Sequence, residues 1–428
     1  MKALCASVSV LLAALAAVPA ARAIVVPVTT TAELVAAIDA AQPGDVITLA
    51  PGTYTVTQNL NCDAPGTPDD PIVVRAEVLG QALIRFDALE GFKVSARHWI
   101  FENLDIRGVC SVHSDCEHAF HLFGDADFTR IRFNRVRDFN AQIKSNITGG
   151  QFPDDVIVED NELADTAPRQ TSNPVTKIDV VGGRRWRVRA NFLHDFEKGQ
   201  GDTVSYAGFL KGNSRDGLFE RNLVICERDH AGGVRLGLSL GGGGSSPGSI
   251  CEDGTCTPEH QNGILRDNVI VNCPADVGIY INEGFNSRIH HNTLVGNTGI
   301  DIRFAASTAD LRNNIVSGQI RNRDGGTSTQ ADNLTGVTVA QAESWFVAPL
   351  AGDLTLLDGS AFVDEGQPLA LVPADYCRNG RNDGAADLGA VEYDGDGPCV
   401  TQLAGGGVDI FDDGFETGGV GQWSTRQR

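Results

Sequence analysis

Between Asn103 and Asn314 the chain repeats one short phrase eight times, an asparagine followed by an apolar, mostly β-branched run. The phrases begin at Asn103, Asn134, Asn161, Asn191, Asn222, Asn268, Asn292 and Asn314, at intervals of 31, 27, 30, 31, 46, 24 and 22 residues. Repeats of about 20 to 50 residues mark solenoids, propellers or arrays. The segment before each asparagine is itself strand-like, as in Phe128–Phe133, Asp155–Glu159 and Trp186–Arg189. Each asparagine is therefore expected at a corner between two short strands, where its tolerance of left-handed backbone and its side-chain hydrogen bonds suit a tight bend. An interval of 22 to 24 residues fits one turn of three short strands and three bends. Helical repeats would need apolar stripes with a period of 3.6, and none is present. The expectation is an all-β, single-stranded parallel β-helix.

A chain of 428 residues could hold several globular domains, but one repeat running through its middle argues for a single elongated one. The formal charge is −21, and loss of Lys2 and Arg22 with a leader would take it to −23. Such acidity argues against nucleic acid and anionic membrane as partners. Met1–Ala23 reads as a signal peptide: Lys2 is the positive start, Ala3–Val18 the apolar run, and Ala21-Arg22-Ala23 the cleavage site. Secretion or a periplasmic location follows, with no membrane span and a monomer expected. Nine cysteines remain after cleavage, in a compartment that permits disulfides. Cys110 and Cys116, and Cys251 and Cys256, are close enough to staple small loops; Cys377 and Cys399 could tie down the C-terminal region. Cys226 and Cys273 follow their asparagines by four and five residues and could face each other on nearby rungs, which leaves Cys62 over.

The mature chain opens with a capping box, Thr30 with Glu33, and an amphipathic helix over 31–42 that would cover the open end of the solenoid. Main repeats are expected over 46–325, a closing region over 326–400, and a flexible tail over 401–428. The stretch Glu33–Tyr54 resembles the N-terminal cap of secreted right-handed β-helix proteins, notably the chondroitinase B and alginate lyase group of polysaccharide lyases. Pro71–Glu77 looks like that group's second rung, and Asp387-Leu-Gly-Ala-Val-Glu-Tyr393 resembles the D-x-G-A-x-E-Y ending of extracellular β-helix proteins. The tail from Val408 to Ser424 resembles a short segment found on many secreted bacterial proteins, which suggests a sorting or processing tag, with an edge strand that closes the solenoid as the alternative. Two insertions interrupt the repeat, Val109–Glu117 and the Gly/Ser-rich Gly241–His260, and solenoid insertions often border the binding face.

The resemblance implies β-elimination on an acidic, uronate-containing polysaccharide. That reaction needs a cation to neutralise the uronate carboxylate and a base to take the C5 proton, one rung or so apart on an outward face. Lys211, in Gly208-Phe-Leu-Lys-Gly, resembles the lysine base of the lyase group, and Arg235 resembles the arginine of its next rung. The group's Ca²⁺ is a candidate cofactor, although no His-Gly follows Arg235 and the glutamate-bearing strand that supplies calcium ligands is replaced. Tyr206 and His230 are further candidates for catalysis, and His194 and Arg303 for substrate binding. Arg303 precedes its asparagine by eleven residues, as Lys211 does, and so could line the same face. Hydrolysis by several carboxylates is disfavoured, because Asp154-Asp155 is the one Asp-Asp pair between Asn103 and Asn314 and no Gly-His-Gly is present. A noncatalytic carbohydrate-binding or structural solenoid and a uronate C5-epimerase remain as alternatives.

Overall fold

The computed structural model describes residues 24–242, 250–381 and 384–393, with 399 and 401. The leader and the tail beyond 401 lie outside the described residues, as do residues 243–249 of the Gly/Ser-rich insertion. Strands Ile24–Val28 to Leu334–Val337 coil into three long sheets of parallel neighbours. The first sheet, with 12 strands, collects those before the corner asparagines; the second, with 11, collects those after them; the third, with 10, closes each turn. The last rung uses Thr327–Ala331 and Leu334–Val337, so the ladder continues past Gly325, where the repeat fades in the sequence.

The corner asparagines explain the stacking. The side-chain oxygen of Asn161 accepts from both the backbone N–H and the side-chain amide of Asn134, and Asn134 also donates to Phe101 O. The same contacts recur from Asn161 to Asn191, Asn222, Asn268, Asn292, Asn314 and Asn333. Nearly every buried polar group must find a partner, and this ladder supplies one at each bend where sheet pairing lapses. The left-handed residue is not the asparagine but the one before it: Phe133, Asp160, Ala190, Arg221, Asp267, His291 and Asn313 all have φ between 53° and 57°. Asn103 is out of phase with the others. It takes the left-handed position itself, at φ 57°, and Leu104 occupies the ladder position, with its N–H donating to Asn134.

Inward-facing apolar residues form one core along the coil, from Val28 through Phe92, Phe101, Phe120 and Leu238 to Val316. The helix Thr31–Asp39 sets Leu34 and Ile38 into this core, and its N-terminus carries the Thr30–Glu33 capping box. All four cysteine pairings read from spacing are present, Cys110–Cys116, Cys226–Cys273, Cys251–Cys256 and Cys377–Cys399, and Cys62 is free and buried. Residues 338–381 and 384–393 lie along the outer face of the second sheet, where Trp345, Phe346, Phe362 and Leu388 pack on Leu223, Val269, Val295 and Ile315. The Asp387–Tyr393 motif pins them there. Asp387 accepts from the backbone N–H of Asp364 and Tyr393, while Arg381 joins Glu392 to Asp267.

Candidate functional site

Strands of the third sheet lengthen in the middle of the coil. Val175–Val181, Val204–Lys211 and Val234–Gly241 have 7, 8 and 8 residues, whereas their second-sheet counterparts have 3. The two insertions border this sheet at opposite edges, one on the way into it and one on the way out. Its outer face is therefore the broadest in the molecule, with loops on either side. Register places Lys93, His121, Lys144, Asp179, Phe209, Ser239 and Tyr280 in one outward row across successive strands. Lys211 follows Leu210, which lies opposite Leu240, so its outward row continues through Gly241, Asn282 and Arg303. Lys211 and Arg303 thus share a row, three rungs apart.

Lys211 ends its strand beside Gly242 with its ammonium 4.7 Å from the centre of the Phe209 ring. Burial lowers the pKa of its amine from the usual value; Asp179 opposes that shift, and the Lys144 cation adds to it. Lys144 is itself 2.7 Å from Asp179. At the next turn Glu259 accepts the Gly212 N–H at 2.6 Å. Arg303 is paired with Asp324 and donates to the Tyr280 hydroxyl at 3.3 Å. Tyr206 stands edge-on to Phe209, at 5.5 Å between centroids, and burial pushes its hydroxyl pKa upward.

Arg235 is not brought to Lys211. It sits opposite Ser205, six positions from Lys211 along the neighbouring strand, a separation of about 20 Å at the rise of a β-strand. Its side chain is 1% exposed and is spent on structure, donating to Gly232 O at 2.8 Å, to Cys226 O and to Glu197 at 2.7 Å. The expectation that Arg235 neutralises a carboxylate beside Lys211 is corrected on this ground. His230 belongs to the same buried knot, 3.1 Å from Glu197. His194 lies at the end of a second-sheet strand, 4% exposed, between Asp195 and Glu162. Burial opposes its charged form, but those two carboxylates outweigh it and raise the His194 pKa. Neither histidine faces the row that holds Lys211.

Calcium takes six to eight oxygen ligands. Among the described residues, three groups of potential ligand side chains converge, and each includes histidine or cysteine. Beside Lys211 the carboxylates are Asp179, engaged by Lys144, and Glu259, engaged by a backbone N–H, so the residues there do not fit Ca²⁺. In the second group Cys251 and Cys256 are disulfide-bonded, and in the third Asp195 accepts backbone N–H groups from Arg228 and Asp229. The remaining group, Glu90 with His118 and His121, lies on the outer face of the third sheet and carries no motif that spacing in the sequence reveals.

No family model matches the chain, and no curated protein is significantly similar to it. Among solved structures, that of pectate lyase Pel9A superposes with a TM-score of 0.56 at 16% identity, covering 83% of this chain and 90% of that one. An alginate lyase from Paenibacillus sp. str. FPU-7 matches at a TM-score of 0.40 and 16% identity, over 73% and 96% of the two chains. A rhamnogalacturonan lyase matches at 0.40 and 14%, over 71% and 81%. No helix among the described residues is long and apolar enough to cross a membrane. At 16% identity the likeness to Pel9A is one of fold: the chain is a right-handed parallel β-helix.

Proposed function

We propose that this is an exported polysaccharide-active β-helix that cleaves a uronate-containing polymer by β-elimination on the outer face of its third sheet. The observation that carries the reading is Lys211, an amine whose pKa is lowered by burial, at the end of one of the longest strands and beside Gly242, where the second insertion begins. A general base must be deprotonated when substrate binds, and desolvation moves a lysine toward that state. Lys144 is the cation whose field reaches Lys211, and it replaces Arg235 as the group that neutralises the substrate carboxylate. Asp179 holds Lys144 in place, and Arg303 would bind a further carboxylate along the same row. Export is supported by the leader pattern of Met1–Ala23 and by four disulfides.

Purified protein is incubated with alginate, chondroitin, dermatan and pectate while the ultraviolet absorbance of the unsaturated product sugar is followed. Lys211→Ala should lower turnover by about 10²- to 10⁴-fold, the usual contribution of a general base. Because the base acts as the free amine, turnover should rise with pH and level off below the roughly 10.4 of an ordinary lysine. A second reading has its own support: Lys93, Lys144, Arg303, Arg321 and Arg323 are all ion-paired on this face, as in a surface that presents side chains without reacting. Saturable polymer binding with no absorbance change would select that noncatalytic reading.

A further inference from the structure

Two rungs of the third sheet carry a cluster that the elimination chemistry does not use. Glu90 and His118 are opposite one another in register, and His121 stands three residues beyond His118 on the same strand. Potential ligand atoms of the three lie within 4.8 Å of one another. The ring of His118 is 5.1 Å from that of His121, and its Nδ1 donates to Ala141 O at 3.1 Å, which leaves Nε2 as the lone-pair nitrogen. His121 places Nδ1 against the Glu90 carboxylate and Nε2 against the Asn146 side-chain oxygen. Glu90 is held in turn by Lys93 at 3.1 Å and by the Asn59 amide at 3.3 Å.

We propose that Glu90, His118 and His121 form a binding site for a divalent transition-metal ion of the zinc class. An ion entering where His121 Nδ1 and the Glu90 oxygen meet would take the place of the proton between them. It would be ligated by that nitrogen, by the carboxylate and by His118 Nε2. Each imidazole would keep a partner on its other nitrogen, Ala141 O for His118 and Asn146 for His121, which is how metal-ligating histidines are oriented. Two nitrogens and one carboxylate select zinc and its neighbours over Ca²⁺ and Mg²⁺, and three protein ligands leave a position open toward the outer face. Three rungs, about 14 Å, separate His121 from the rung of Lys211, while Lys144 lies one rung from His121 in the same outward row.

The test uses untagged, disulfide-intact protein stripped with chelator and titrated with Co²⁺ alone, then Zn²⁺. One equivalent of Co²⁺ should give a visible ligand-field band that Zn²⁺ displaces and excess Ca²⁺ does not. His118→Ala and Glu90→Gln, each with an unchanged circular dichroism spectrum, should weaken binding by more than the roughly 10- to 100-fold typical of outer-shell losses. Cys62→Ser should leave it unchanged. Absence of the band, or a band that survives both substitutions or vanishes with Cys62→Ser, overturns the site. No polysaccharide is present, so failure here leaves the lyase assay to stand or fall separately.

Discussion

At the scale of the residue, burial separates the groups that can react from those that hold the fold. Lys211 and Arg235 are both basic residues on neighbouring long strands, yet Arg235 is enclosed with Glu197 and backbone carbonyls while Lys211 lies over an aromatic ring on the outer face. Removing one partner of a buried pair leaves the other charge unsatisfied. Arg235→Ala should therefore lower unfolding free energy by about 3–5 kcal/mol, measured by denaturant titration. Under conditions where the variant stays folded, its turnover should match that of the parent, whereas Lys211→Ala should show the reverse pattern. Equal loss of turnover in folded Arg235→Ala would return that residue to the reaction. Both residues were visible in the sequence as basic positions in a dense segment. What separated them was their place along the strand, which spacing from an asparagine measures only when the intervening loops are equal in length.

At the scale of the element, two cross-rung ladders run along the coil. The asparagine ladder runs inside the corner between the first and second sheets. A second ladder, on the outer face of the first sheet, alternates Arg75, Glu102, Arg132, Glu159, Arg189, Glu220 and Arg266 strand by strand. Ion pairs at 2.8 Å for Arg132–Glu102 and 2.6 Å for Arg189–Glu159 belong to it. Parallel in-register strands stack the same position on every rung about 4.8 Å apart, so a row of one sign would repel itself and an alternating row attracts. Glu159→Gln places Arg132 and Arg189 on either side of a neutral rung. The expected cost is roughly 1–2 kcal/mol, between the values for exposed and buried pairs, and it should shrink as salt is raised. A variant as stable as the parent at low salt would mean that the ladder is ornamental. The asparagines were legible because one residue type recurs. The charge ladder was not, because its sign alternates and it emerges only once the register is known.

At the scale of the whole molecule, local repeats are joined by a few long-range ties. Cys226–Cys273 spans 47 residues across the Gly/Ser-rich insertion, while Cys251–Cys256 closes a loop of separation 5. A crosslink that closes a longer loop removes more freedom from the unfolded chain, so Cys226→Ser should lower stability by about 2–4 kcal/mol and by more than Cys251→Ser does. Thermal unfolding of both variants checks the order, and a larger loss from Cys251→Ser would contradict it. Residues 338–381 and 384–393 are another long-range tie, since their aromatic cluster covers apolar outer positions of the second sheet that would otherwise meet water. The sequence by itself determined the solenoid, the corners and the cysteine partners, because each follows from a repeat or a spacing that neighbouring residues carry. Only the tertiary structure decided which side chains share a face. Glu90 meets His118 and His121, and Lys211 keeps company with Lys144 and Asp179 rather than Arg235, because unequal loops between rungs decouple distance along the chain from position across the sheet.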